Sequence, residues 1–267
     1  MTNVRLVLVA LMGFVPTSVL AHGPGGHPAD PDLHVGTEYD QCYVKFAPEL
    51  TQSAFRRFAR EFGSVSAFKM NSPPTTLGKW RVALGLEQLS VTIEDRSDAW
   101  NDTFAHPDAY HELGSDQSFP KVRARVGITD RMDVGAFWTK NPSANYGWLG
   151  FEAKYGLLQQ SQTMPISLAL RGAYTKTLYV EDMDMHAITA DVAAGRTFWN
   201  VFTPYLDLGT DLVLARETTE AVVLESERLL VPRATGGFEL RYWHVGFGAE
   251  VHVSDLTSYQ LSLSAMF

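Results

Sequence analysis

The chain has 267 residues, with 22 basic against 30 acidic side chains and a formal net charge of -8, a balance that argues against nucleic acid as a partner. Its single cysteine, Cys42, excludes an intramolecular disulfide and a cysteine-based metal cluster. Aromatic residues at 12% together with 21 glycines favour strands over helices.

Residues 1–21 read as a secretory signal peptide: Arg5 supplies the charged start, Leu6 to Val15 the apolar run, and small residues lead to a cut after Ala21. That run is too short to span a bilayer. No later stretch approaches 18 uninterrupted apolar residues, so an exported chain without a transmembrane helix is predicted. Residues 22–47 open on H-G-P-G-G-H-P-A-D-P-D-L-H-V-G and read as a flexible leader. Its histidines, His22, His27 and His34, have no regularly spaced acidic or cysteine partner, so neither a metal site nor a cofactor is expected. Residues 48–63, P-E-L-T-Q-S-A-F-R-R-F-A-R-E-F-G, predict an amphipathic helix. Leu50, Ala54, Phe55, Phe58 and Phe62 share one side, Arg56, Arg57 and Arg60 take the other, and Gly63 is placed to stop it.

From residue 79 to 267 the period becomes two. Lys121, Arg123 and Arg125 alternate with Val122, Ala124 and Val126; Glu152 and Lys154 alternate with Phe151, Ala153 and Tyr155. Ten such segments follow one another, at roughly 79–95, 119–128, 132–140, 146–158, 164–178, 185–198, 204–216, 229–242, 245–254 and 257–267. Most are longer than the 5–6 residues usual in globular strands and match the 9–11 that a tilted strand needs to cross a bilayer. With the C-terminus placed in the periplasm, the short connections fall on that side and the longest, 96–118 and 217–228, fall outside, as in an outer-membrane barrel. The fold expected is all-β, a transmembrane antiparallel barrel of ten strands with a short N-terminal amphipathic helix. Twelve strands would result if 38–46 and 64–70 also paired.

The chain ends Y-Q-L-S-L-S-A-M-F, with Tyr259, Leu261, Leu263, Ala265 and Phe267 on one face. This stretch resembles the C-terminal signature of Gram-negative outer-membrane barrels. The resemblance implies residence in the cell outer membrane, with its lipid and its barrel-insertion machinery as partners. The segments R-V-G-I-T-D-R-M-D-V-G-A-F, F-E-A-K-Y-G-L-L and L-A-L-R-G-A-Y-T-K are similar to those of poorly characterised porin-like proteobacterial barrels.

Alternation assigns a mixed set of charges to the lumen. The basic members are Lys121, Arg123, Arg125, Lys154, Arg171, Arg233 and Arg241; the acidic members are Glu152, Asp191, Asp207, Asp211, Glu239 and Glu250, and His252 joins them. In a narrow barrel these groups pair with one another or line a selective path for a small solute. The helix is expected either as a plug in the periplasmic mouth, its arginines facing lumen carboxylates, or against the rim. The function read from this is a narrow or gated pore, or a structural envelope barrel, without catalytic residues. The alternatives are a lipid-modifying enzyme or a surface recognition barrel using loop 96–118. The spacing of His252 and Ser254 matches outer-membrane phospholipases, but alternation turns both side chains inward, away from lipid. Asp98, Asp102, His106, Asp108 and His111 are expected in a solvated loop.

Overall fold

The computed structural model describes residues 34–267, so the predicted signal peptide and His22 and His27 lie outside the described residues. Ten antiparallel strands close into a barrel: β2 (Val82–Thr92), β4 (Asp116–Thr129), β5 (Met132–Lys140), β6 (Gly147–Leu158), β7 (Ser167–Leu178), β8 (Met183–Gly195), β9 (Phe202–Glu217), β10 (Glu227–Tyr242), β11 (Val245–Val253) and β12 (Thr257–Met266). Sequential strands are neighbours, and β12 pairs with β2 to close the ring, with Ser262 opposite Glu87. The backbone amide and carbonyl of Phe267 bond to those of Val82 at 2.8 and 3.0 Å, so the last residue seals the seam. Closure leaves no unpaired edge in the wall, the requirement for a sheet in hydrocarbon.

The twelve-strand alternative does not form. Tyr43–Val44 (β1) pairs instead with Phe104–Ala105 (β3), a separate two-stranded ribbon built from the leader and the longest loop. Residues 64–66 end a helix, α1 (Gln52–Ser66). A one-turn helix, α2 (Asp98–Asn101), lies in loop 93–115. Within the expected leader, Tyr43, Val44, Phe46 and Ala47 are all buried.

Thr51 caps α1 by accepting from the Ala54 amide at 3.3 Å. Gly63 does not stop it; the helix runs three residues further. The glycine serves a close approach instead, since a Cβ there would lie 2.5 Å from Val213 Cγ1 of β9. After α1 the chain runs irregularly through the lumen to the other end of the barrel, with bends at Ala67, Ser72, Pro74 and Thr75. It turns into β2 at Gly78, whose φ is +90°. There it crosses β4 so tightly that a Cβ on Gly127 would meet the Gly78 carbonyl oxygen at 1.9 Å.

The candidate pore and its closure

The outer wall is apolar. Leu84, Leu86, Val122, Phe151, Leu206, Leu208 and Leu230 are exposed on it, Leu206 and Leu208 at 68% and 67%. Trp80, Trp199, Tyr242 and Trp243 stand exposed at the end that carries the short turns, where an interfacial aromatic belt belongs. Of the predicted insertion signature, Tyr259, Leu261 and Phe267 are exposed on the outer face, while Leu263 is half-buried and Ala265 buried. Apolar residues outside and charges inside invert the usual soluble pattern, so the surrounding solvent of the wall is hydrocarbon.

The charged side chains turn inward and meet at mid-height. Glu87 accepts from Arg123 at 3.2 Å and from Gln260 at 2.9 Å. Arg123 also pairs with Glu152, Glu152 lies 3.5 Å from Arg171, and Arg171 pairs with Asp191. Asp191 then reaches Arg233 at 2.7 Å, and Arg233 reaches Asp211 at 3.2 Å and Asp207 at 3.9 Å. This single chain of charges joins β2, β4, β6, β7, β8, β9 and β10 across the barrel interior, and the Gln260 amide ties β12 to it. Lys154 pairs with Asp133 at 3.4 Å nearer the short-turn end, where Glu239 meets Arg241 at 2.7 Å. Lys121 places its ammonium over the rings of Phe137 and Trp148, at 4.9 and 5.5 Å, and Arg125 is buried in the lumen. Pairing of this kind offsets the several kcal/mol that each lone buried ion would cost.

Three of these arginines also grip the irregular segment 67–77. The Phe68 carbonyl accepts from Arg171 and Arg233, each at 3.2 Å, and the Met70 carbonyl accepts from Arg123 at 2.7 Å. The Phe68 ring lies under the guanidinium groups of Arg123 and Arg171, at 4.9 and 5.6 Å. Further along, Lys154 donates to the carbonyls of Pro73 and Thr75 at 3.0 and 2.9 Å. The lumen is thus occupied along its length by a segment of its own chain.

The mouth at the long-loop end is closed by α1 and the β1/β3 ribbon. This corrects the expected position of the helix, which sits at the mouth opposite the short turns. Its arginines bond to rim carboxylates rather than to the lumen set: Arg56 to Glu227 at 2.9 Å, Arg57 to Glu94 at 2.6 Å, and Arg60 to Asp255. The leader continues the closure. Val44 exchanges two hydrogen bonds with the Asn145 side chain, and the Phe46 amide donates to Asp182 at 2.7 Å. All five loops at this end are therefore tied to residues 41–60. Beneath them Phe58 packs against Phe62, Trp100 and Phe104 with ring centroids 5.0, 5.3 and 6.0 Å away, and Trp100 donates to Glu61 at 2.6 Å. Buried aromatic side chains contribute about 1.5–3 kcal/mol each, so this cluster holds the cap more strongly than its exposed ion pairs do.

Cys42 and His106 were expected in a leader and a solvated loop, yet both are buried under this cap, with Sγ 3.0 Å from Nδ1. Burial pushes the Cys42 thiol up to about 12. Burial, with His111 and His34 nearby, pulls the His106 imidazole down to about 4. A reactive thiolate–imidazolium pair is therefore disfavoured. His252 is fully buried in the lumen, 3.1 Å from Glu250 and 2.9 Å from the Thr235 hydroxyl, while Ser254 bonds to the Leu256 carbonyl. The His252–Ser254 spacing thus brings no lipid-facing pair together.

These features define the class: a closed β-barrel of the outer-membrane type, with a polar interior and a lid and filling supplied by its own N-terminal segment. No protein-family model matches the chain, and no curated protein matches it in sequence. Among solved structures it is similar to an outer membrane channel from Pseudomonas putida F1, with 8% identity, 75% of this chain and 100% of that chain covered, and a TM-score of 0.42. It is also similar to the KdgM porin in complex with disordered oligogalacturonate, with 9% identity, 70% and 99% covered, and a TM-score of 0.35. The attachment invasion locus protein Ail of Yersinia pestis, in complex with sucrose octasulfate, gives 9% identity, 71% and 99% covered, and a TM-score of 0.33.

Proposed function

We propose that the protein is a gated pore for a small polar solute, with residues 34–66 as lid and 67–77 as lumen filling in its closed state. The observation that carries this is the grip of Arg123, Arg171 and Arg233 on main-chain carbonyls, because such bonds are replaceable by a solute's oxygen atoms. Lys121, Arg123 and Arg125 would then form a basic ladder along one side of the path, and Asp207 and Asp211 an acidic side, selecting for polar solutes carrying carbonyl or carboxylate oxygens. Tyr259, Leu261, Leu263, Ala265 and Phe267 serve insertion into the outer membrane in this reading.

A lock tests it. A Cβ on Gly63 would lie 3.1 Å from Val213 Cβ, so cysteines at both positions are within a few tenths of an ångström of disulfide reach. In a Cys42→Ser background, the oxidised Gly63→Cys, Val213→Cys protein should stay silent in planar bilayers under conditions where the reduced form conducts. Equal conductance in both redox states would refute a moving helix.

A further inference from the structure

On the outside of the barrel, near the long-loop end, one row of outward side chains runs through β5 to β10. Trp138 stands opposite Leu149, Leu149 opposite Lys176, Lys176 opposite His186, His186 opposite Leu214 and Leu214 opposite Arg228. Arg216, opposite Asp184, lies one step closer to the loops. Asp184 is shared between Lys176 at 3.7 Å and His186 at 3.2 Å, and the Tyr174 hydroxyl lies 2.5 Å from His186 Nδ1. Arg216 and Arg228 are exposed and form no ion pair among the described residues. Three permanent cations thus face a single carboxylate, on the wall of a chain whose net charge is -8. At the loop end of the β2 and β4 wall the outward residues are Ser90, Thr92, Asp116 and Ser118, with no cation among them.

Depth gives this row its meaning. From His186 down β8 to Ala194 the outward face spans roughly 20 Å of height, at about 3.3 Å per residue and a tilt of about 40°. His186 therefore stands near the top of the apolar band, where lipid headgroups begin. The row climbs toward the loops from β5 to β10, since followed the other way through Val122, Leu86, Leu263 and Phe247 it meets β10 at Leu240, twelve residues from Arg228. Below the row, on β6 to β9, lies a groove of about 500 Å³. Small side chains create it: Ala153 stands opposite Gly172 and Gly172 opposite Ala190, between larger walls at Tyr155, Leu170 and Val192.

We propose that this wall is a docking site for one membrane lipid with a phosphate-bearing headgroup, its phosphate held by Lys176, Arg216 and Arg228 and an acyl chain laid in the groove. Guanidinium groups match phosphate oxygens in pairs, and at the edge of the apolar band these cations are less hydrated than on a soluble surface. The headgroup cluster and the groove are separate features of the wall, and a phosphorylated lipid satisfies both.

The test is native mass spectrometry of the full chain, titrated with lipid A as the phosphorylated lipid, with heat-modifiable gel mobility confirming that each variant is folded. A one-to-one adduct is expected. Substituting Lys176→Gln, Arg216→Gln and Arg228→Gln together should weaken it on the order of a hundredfold, since each basic residue near an anionic headgroup contributes about fivefold. Ala190→Phe, which fills the groove and leaves every charge in place, should weaken it as well. The proposal is overturned if the charge variant binds like the parent, if diacylglycerol binds equally well, or if excess inorganic phosphate displaces the lipid, which would mark a site for the free anion.

Discussion

Acidification should undock the lid, and Cys42 should report it. His106 is neutral in the closed lid, where its pKa is down at about 4, and returns toward the usual 6.5 when the lid opens to solvent. A depressed histidine contributes its stabilisation fully above pH 6.5 and loses it as pH falls from 6.5 to 4, below which both states are protonated. A shift of about 2.5 units corresponds to about 3 kcal/mol, or roughly 300-fold in the docking equilibrium. His34, whose pKa burial and Lys45 also lower, acts in the same direction. The thiol of Cys42 lies 3.0 Å from His106 and is 5% exposed, so a pyridyl disulfide reaches it only after the lid lifts. Its labelling rate, divided by that of the urea-unfolded chain at the same pH, should rise by about two orders of magnitude between pH 7.5 and pH 4. His106→Asn should flatten most of that rise. A ratio constant across this range, or an unchanged slope in His106→Asn, would show that His106 does not control lid docking.

Phe58→Ala should weaken lid docking by about 3–5 kcal/mol, because it empties the centre of the aromatic cluster, and should raise Cys42 labelling at neutral pH while leaving barrel gel mobility unchanged. Arg233→Met should act on the barrel itself. It leaves Asp191, Asp207 and Asp211 short of their shared partner, a loss of about 3–5 kcal/mol that a lowered thermal midpoint in detergent would register. The double change Arg233→Met, Asp211→Asn should recover part of that loss, since fewer uncompensated charges remain buried.

The barrel was legible because period two survives in every strand: Lys121 and Val122 cannot exchange faces without reversing the whole hairpin. The ten wall segments and the inward direction of Arg123, Glu152, Arg171, Asp191 and Arg233 follow from the same rule, while ten against twelve strands was settled only by the pairing of Tyr43–Val44 with Phe104–Ala105. Which mouth the helix closes did not follow. Amphipathicity shows that Arg56, Arg57 and Arg60 oppose the phenylalanines, but their partners Glu227, Glu94 and Asp255 lie 171, 37 and 195 residues away in sequence. The lumen segment 67–77 was invisible for another reason, since an irregular stretch containing Pro73 and Pro74 has no periodicity to read. Gly63 misled through the same ambiguity: a glycine late in a helical pattern marks a stop or a close contact, and only Val213 decides between them.

The most direct measurement is single-channel conductance of the intact chain beside a chain lacking residues 34–77, both refolded and inserted in planar bilayers at pH 7.5. The account predicts silence from the intact protein and steady, ohmic openings from the shortened one. An intact protein that conducts as the shortened one does, or a folded shortened barrel that stays silent, would contradict it.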